Sequence, residues 1–189
     1  PHGGTKNRCL TAWRRPISEK FKGAIIAKKV NILQGIRSKV YRKIMHIVHL
    51  SSEFAPIAKA GGLGEVLLGL SRELTRRGHD VDIIIPKYDL IDLTKIQNLQ
   101  IETPHFRCLE YQNAMWTGRS EECHLHLLES RHPAGYFHRG KIYGCEDDIA
   151  RFLYFSRAAL EYLKEKKQPI DVLHLHDWHV SLCALLVKD

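Results

Sequence analysis

The sequence predicts an α/β protein built on a doubly wound, mostly parallel sheet. Three observations carry that expectation. Runs such as "VDIIIP" (81–86) and "DVLHLH" (171–176) are short and rich in apolar residues, as strands buried on both faces tend to be. Other segments repeat apolar residues at helical spacing. The two kinds alternate along the chain, the pattern of a sheet covered by helices.

Taken in order, "MHIVHL" (45–50) reads as the first strand. Leu63, Val66, Leu67, Leu70 and Leu74 then define one apolar stripe of a helix. Arg72, Arg76 and Arg77 fall near its end, where cations suit the negative pole of the helix dipole. Gly78 stands where a left-handed cap is expected. With 81–86 as the next strand, this is a βαβ unit with a right-handed crossover. "LQIETPHFRCLEY" (99–111) and "ECHLHLLES" (122–130) read as a hairpin joined around Trp116 and Gly118. The stretch 147–167 is a strong helix, with Asp147 and Asp148 at its start and lysines at its end; Arg151 and Arg157 are expected on its solvated face. The run 171–176 is another buried strand, and a further helix begins at 179.

The 189 residues suffice for one ordinary domain, with 44% apolar and 26% charged content. The net charge of +8 is unevenly placed: residues 1–44 carry +11 and residues 45–189 carry −3. The folded part is therefore mildly acidic, which argues against nucleic acid as a partner. Residues 1–44 read as a basic, poorly ordered extension: a linker, a targeting peptide or sequence preceding a start at Met45. The domain proper is expected over 45–189, cut at Asp189 before the βα series is finished. The five cysteines show no CxxC and no paired spacing, which suits a reducing compartment. No apolar run approaches the roughly 18 residues that span a bilayer, so no membrane partner is expected.

The segment 51–62 lies after the first strand, at the edge where open α/β sheets bind ligands. It holds Lys59, Gly61 and Gly62. One reading is a tight strand-to-helix bend with a solvated lysine. The other is an anion cradle, in which bare backbone, helix N–H groups and the Lys59 charge converge on a phosphate. The order of "KAGGLGEV" fits neither GxxxxGK[ST] nor GxGxxG, so neither a P-loop nucleotide nor a nicotinamide cofactor is supported.

The segment Glu53-Phe54-Ala55-Pro56, followed by Lys59-Ala60-Gly61-Gly62-Leu63-Gly64-Glu65-Val66, resembles the opening of bacterial glycogen synthases and plant starch synthases. The resemblance continues through "RRGHDVDIIIPKYD" (76–89), "IYG" (142–144), "DDIARFLYFSRAALE" (147–161) and "DVLHLHDWHVSL" (171–182), spanning nearly all of 45–189. Within the family it leans toward the chlamydial and plant type III/IV branch. It implies the incomplete N-terminal half of a GT-B glycosyltransferase with a Rossmann-like sheet. The implied reaction moves glucose from ADP-glucose to the non-reducing end of an α-1,4-glucan (glycogen or starch), with retention and with no metal or other cofactor.

The resemblance also implies roles. Lys59 and the amides of Gly61 and Gly62 would hold the donor diphosphate, and Tyr143 would face the cleft. Asp177 and His179 would lie near the transferred sugar or the acceptor. Glu65 stands where the family usually has Asp, and the resemblance implies for it, with Asp177 and His179, a catalytic role through a polar contact in the cleft. His176 and Trp178 would support the turn, although Trp178 could equally cap the sheet. Glu53 could be a helix-capping acid with no ligand. His174 is expected to be a core histidine, on the opposite face from His176.

Three rivals stand beside this reading. "HLHDWH" offers three histidines and a carboxylate in six residues, yet its carboxylate is one place out of the HxHxDH order of zinc hydrolases. Another GT-B transferase could use a different nucleotide-sugar donor. A non-catalytic glucan-binding fragment is the third, since catalysis would need groups from both halves together. The chain alone is expected to transfer no glucose and to fold poorly. A cytoplasmic location is expected, with the plastid as alternative.

Overall fold

The computed structural model describes residues 43–187. All of the basic extension except Lys43 and Ile44 lies outside the described residues, so the expectation for it does too.

Six strands form one sheet: β1 (His46–Leu50), β2 (Asp80–Pro86), β3 (Gln97–Cys108), β4 (Tyr111–Ser120), β5 (Cys123–Ser130) and β6 (Val172–Leu175). Their order is β3-β4-β5-β2-β1-β6. β1 pairs in parallel with β2 and β6, and β2 with β5, while β3 and β4 add an antiparallel edge. The helices are α1 (Leu63–Arg76), α2 (Asp148–Lys166) and the short α3 (Leu182–Leu186). The mostly parallel α/β sheet expected from the sequence is therefore observed. Strand order reverses between β1 and β6, because β2 and β5 continue on one side of β1 and β6 lies on the other. Such a reversal opens a crevice beyond the carboxyl ends of the strands.

The core sits on the central strands. Val48, Leu50, Ile83, Ile84 and Ile85 are all fully buried, as a run covered on both faces requires. Helix α1 ends as expected: Arg77 caps it and Gly78 turns the chain at φ 86°. Its buried face differs from the expected stripe. Gly64, Leu67, Leu68 and Ser71 point inward, while Val66 is 63% exposed. The stripe is rotated because small residues, Gly64 and Ser71, let the helix approach closely; a Cβ on Gly64 would lie 3.1 Å from the Ala55 nitrogen.

The expected two-stranded hairpin is three strands. Trp116 and Gly118 lie inside β4, and the turns fall between β3 and β4 and between β4 and β5. Gly118 is bare for a steric reason. A Cβ there would come within 2.5 Å of the Ile96 side chain and 2.9 Å of the Gln97 carbonyl. The true turns contain no glycine, although Leu109 (56°), Glu121 (54°) and Glu122 (69°) all take positive φ. Two-residue hairpin turns with φ above zero usually signal themselves by Asn or Gly. These do not.

Eleven of the nineteen residues of α2 are buried, so it is a core helix and not a surface one. Arg151 and Arg157 are buried with it, contrary to their expected solvated placement. Arg151 survives burial because every direction of its fork is answered. It donates to Asp148 Oδ1 at 2.9 Å, to the Tyr136 carbonyl at 3.1 Å and to the Ile142 carbonyl, and its guanidinium lies 4.6 Å from the Phe152 ring. Arg157 pairs with Glu161 at 2.7 Å.

His174 is exposed, not a core residue, and it shares a face with His176: their ring centroids are 4.2 Å apart. Residues two apart on a strand project to the same side, and β6 has no further strand beyond it among the described residues.

Candidate active site

The loop leaving β1 folds around Glu53. This side chain is buried, and its Oε2 accepts hydrogen bonds from the amides of Ala60 and Gly61, each at 2.8 Å. Its Oε1 accepts the Tyr143 hydroxyl at 2.7 Å, and the Gly64 amide also faces the carboxylate. Helix α1 needs this help because its cap, Gly62, has no side chain to offer the open N–H groups. Burial alone would raise the Glu53 pKa. The bonds from Gly61, Tyr143 and Ala60 outweigh it and hold the carboxyl below its ordinary range.

This arrangement separates the two glycines. The Gly61 amide is engaged by Glu53, whereas the Gly62 amide has no partner among the described residues. A Cβ on Gly62 would meet nothing within 4 Å, and its φ of −77° is open to any residue. The fold itself therefore does not require glycine at Gly62, as it does at Gly64. Lys59, about half exposed, pairs with Glu65 at 2.6 Å on the outer side of the same loop. So exposed a pair contributes less than about 1 kcal/mol to stability, leaving Lys59 available to another anion.

Tyr143 arrives from the segment before α2, which is tied down at several points. Asp148 accepts the amides of Gly144 (2.8 Å) and Cys145 (3.0 Å), and Asp89 accepts that of Gly140 at 3.0 Å. Arg151 holds two of its carbonyls. Since Tyr143 gives its proton to Glu53, Ser52 donates to the Tyr143 oxygen at 2.7 Å. Burial pushes the Tyr143 hydroxyl well above its usual pKa, Ser52 opposes that, and Glu53 adds to it.

The turn after β6 carries the other groups. The His176 amide donates to the Leu50 carbonyl at 3.0 Å, which docks this turn beside the end of β1. Asp177 has φ 67° and ψ 179°, a region that residues other than glycine seldom enter. Its exposed carboxylate accepts the Trp178 amide at 2.6 Å. The 3-10 turn Trp178–Val180 then buries His179 among three rings: Trp178 at 4.2 Å, Phe152 at 4.7 Å and a stacked Tyr143 at 4.8 Å. Burial lowers the His179 pKa despite nearby carboxylates, so the ring is neutral at pH 7. Its Nδ1 has no partner among the described residues.

Tyr143 and His179 are thus brought together, and Glu53 links them to the glycine loop. Asp177 stands beside them with its side chain in solvent. A neutral imidazole, a hydroxyl, a carboxylate and an open helix start are groups suited to a ligand with both hydroxyls and an anion. Glu53 does cap the start of α1, as its position suggested, and it also holds Tyr143; the buried pair of Arg151 with Asp148 on α2 was not anticipated. The spacing of Asp148 and Arg151, one helical turn apart, was the available signal for a structural pair.

A family model described as the starch synthase catalytic domain matches residues 46–189. The chain belongs to the starch and glycogen synthase family. It is 52% identical over 149 residues to a glycogen synthase of Protochlamydia amoebophila, covering 77% of this chain and 30% of that protein. It is 42% identical to a probable starch synthase 4 of Arabidopsis thaliana, covering 77% of this chain and 14% of that protein. Among solved structures it matches the catalytic domain of Arabidopsis starch synthase IV bound to ADP and acarbose. That match has a TM-score of 0.72 and 42% identity, over 77% of this chain and 30% of that one. The chain thus spans 30% or less of the length of these synthase relatives.

Proposed function

We propose that this chain forms the sheet side of an active site that transfers glucose from ADP-glucose to the non-reducing end of an α-1,4-glucan, with retention. One observation carries the reading. The 59–62 loop and the 177–179 turn follow β1 and β6, on the two sides of the strand-order reversal, in a chain 42% identical to a synthase domain that binds ADP and acarbose.

Negative charge grows on the diphosphate as the bond from the sugar to ADP breaks. Lys59 and the Gly62 amide, with the positive end of α1 behind them, are the groups to offset it. Gly61 contributes by holding the loop on Glu53. Asp177 and His179 orient sugar hydroxyls, the first as an acceptor and the second through a neutral ring. Tyr143 keeps His179 in place and can meet the same sugar. Glu65 tethers Lys59 until the donor arrives. The scheme calls for no metal or organic cofactor. Nucleic acid is not a partner in this reading, and no helix among the described residues is long and apolar enough to cross a membrane. The cytoplasm is the proposed location, with the plastid second.

The test is a chimera in which residues 46–187 replace the matching segment of Arabidopsis starch synthase 4. Glycogen elongation from radiolabelled ADP-glucose is expected, with loss of at least about 100-fold on Lys59→Ala, the scale for removing one charge-stabilising donor. A folded chimera without transfer would overturn the proposal. Preference for UDP-glucose in the chimera would point instead to a different donor class.

A further inference from the structure

We propose that His49, His174 and His176 form a binding site for a borderline divalent transition-metal cation of the Zn2+ class, bridging β1 and β6. This does not rest on the glucosyl-transfer reading.

The backbone register creates the site. His49 of β1 is the direct cross-strand partner of His174 of β6. His176 follows two residues later on the same face, docked through its amide to the Leu50 carbonyl. Ring centroids lie 5.1 Å apart for His49 with each of the others, and 4.2 Å apart for His174 with His176. One nitrogen from each ring lies within 4.8 Å of the other two. His49 Nδ1 and His176 Nε2 are hydrogen-bonded at 2.9 Å.

These separations are near those of a metal shell. Nitrogens about 2.0–2.1 Å from a tetrahedral Zn2+ stand roughly 3.3 Å from one another. The close pair must open by a few tenths of an ångström, and the most distant nitrogen must close by about 1.5 Å at most. His174 is exposed on an edge strand and has room to turn.

A further observation points to a ligand. His49 is fully buried; its Nδ1 faces His176 Nε2, and its other ring nitrogen, Nε2, has no hydrogen-bond partner among the described residues, an arrangement that normally destabilises a fold. Three imidazoles with no carboxylate in the set favour Zn2+, Cu2+, Ni2+ or Co2+ over Mg2+ or Ca2+.

The set is not the one that the linear motif suggests. His179 is packed against Tyr143, Phe152 and Trp178, and its place is taken by His49, from far earlier in the chain on β1. The cation would pin the two strands whose carboxyl ends carry the glycine loop and the 177–179 turn.

The test uses the chimera carrying residues 46–187, stripped with chelator and titrated with Zn2+ against a chromophoric competitor, and separately with Co2+. One equivalent of Zn2+, a Co2+ absorption band of tetrahedral intensity and a raised thermal midpoint are expected. His174→Ala alters an exposed side chain and should keep the circular dichroism of the parent while weakening Zn2+ binding at least about tenfold. His49→Gln should do the same and gives a second reading if either variant is poorly folded. Absence of stoichiometric binding overturns the proposal. So does affinity unchanged in both variants, or affinity lost in His179→Ala but kept in His49→Gln.

Discussion

Tyr143 donates its hydroxyl proton to Glu53 across 2.7 Å, joining two segments that lie 90 residues apart in the chain. Through that bond the loop after β1 and the segment before α2 become one unit, with His179 stacked on its outer ring. The two residues should therefore be energetically coupled. In a double-mutant cycle of Glu53→Gln and Tyr143→Phe, the losses in urea-unfolding free energy should fail to add by about 0.5–3 kcal/mol. Simple additivity would show that the contact is incidental.

Arg151 is the buried counterpart. Its replacement by Met keeps the volume but removes the cation beside Asp148, which keeps only the Gly144 and Cys145 amides, and strands two carbonyls that Arg151 now serves. The expected loss is about 3–5 kcal/mol, the scale for removing one partner of a buried charge. Arg76→Met, on the exposed end of α1, should change stability by less than about 0.5 kcal/mol. Equal effects at the two positions would contradict the assignment of Arg151.

Two glycine substitutions should part company. Gly118→Ala forces a Cβ into the Ile96 side chain and the Gln97 carbonyl, with an expected loss of about 1–3 kcal/mol. Gly62→Ala meets nothing and should leave the unfolding midpoint nearly unchanged. In the chimera, however, Gly62→Ala should raise the KM for ADP-glucose, because the bare backbone there serves a ligand. Unaltered kinetics would return Gly62 to the role of a plain bend.

Acid should act earlier than carboxylate titration alone would suggest. His49 and His176 are neutral when folded, with pKa values of about 3 and about 4, whereas a histidine in the unfolded chain titrates near 6.5. Between those values the unfolded chain takes up protons that the folded chain refuses. Stability is thus fully present above about pH 6.5 and falls as pH drops below it. For each histidine the loss ends once pH passes its folded value. Within the window the slope is up to about 1.4 kcal/mol per pH unit for each group. Urea unfolding in chelator between pH 7.5 and 5 reads this directly, and His49→Gln should flatten the profile. A wild-type profile that is flat over that range would show the rings are not held neutral.

The elements that the sequence made legible are those whose signal is local. The run 81–86 is apolar throughout, and β2 is buried along nearly its whole length. Gly78 ends α1 at positive φ because only the backbone of that residue is at issue. The ordered motifs from Glu53 to Leu182 were enough to place the chain in its family. Tertiary structure decided what depends on a partner far along the chain. Gly118 looked like a turn and proved to be a close crossing, because Ile96 and Gln97 pass above it. Arg151 looked solvated and proved buried, because carbonyls 9 and 15 residues away answer its charge. His174, expected in the core and away from His176, proved exposed and beside it. Periodicity reports which face of an element is apolar. Which atoms that face will meet is fixed only when the sheet brings β1 and β6 side by side, for burial and hydrogen bonding are properties of neighbours in space.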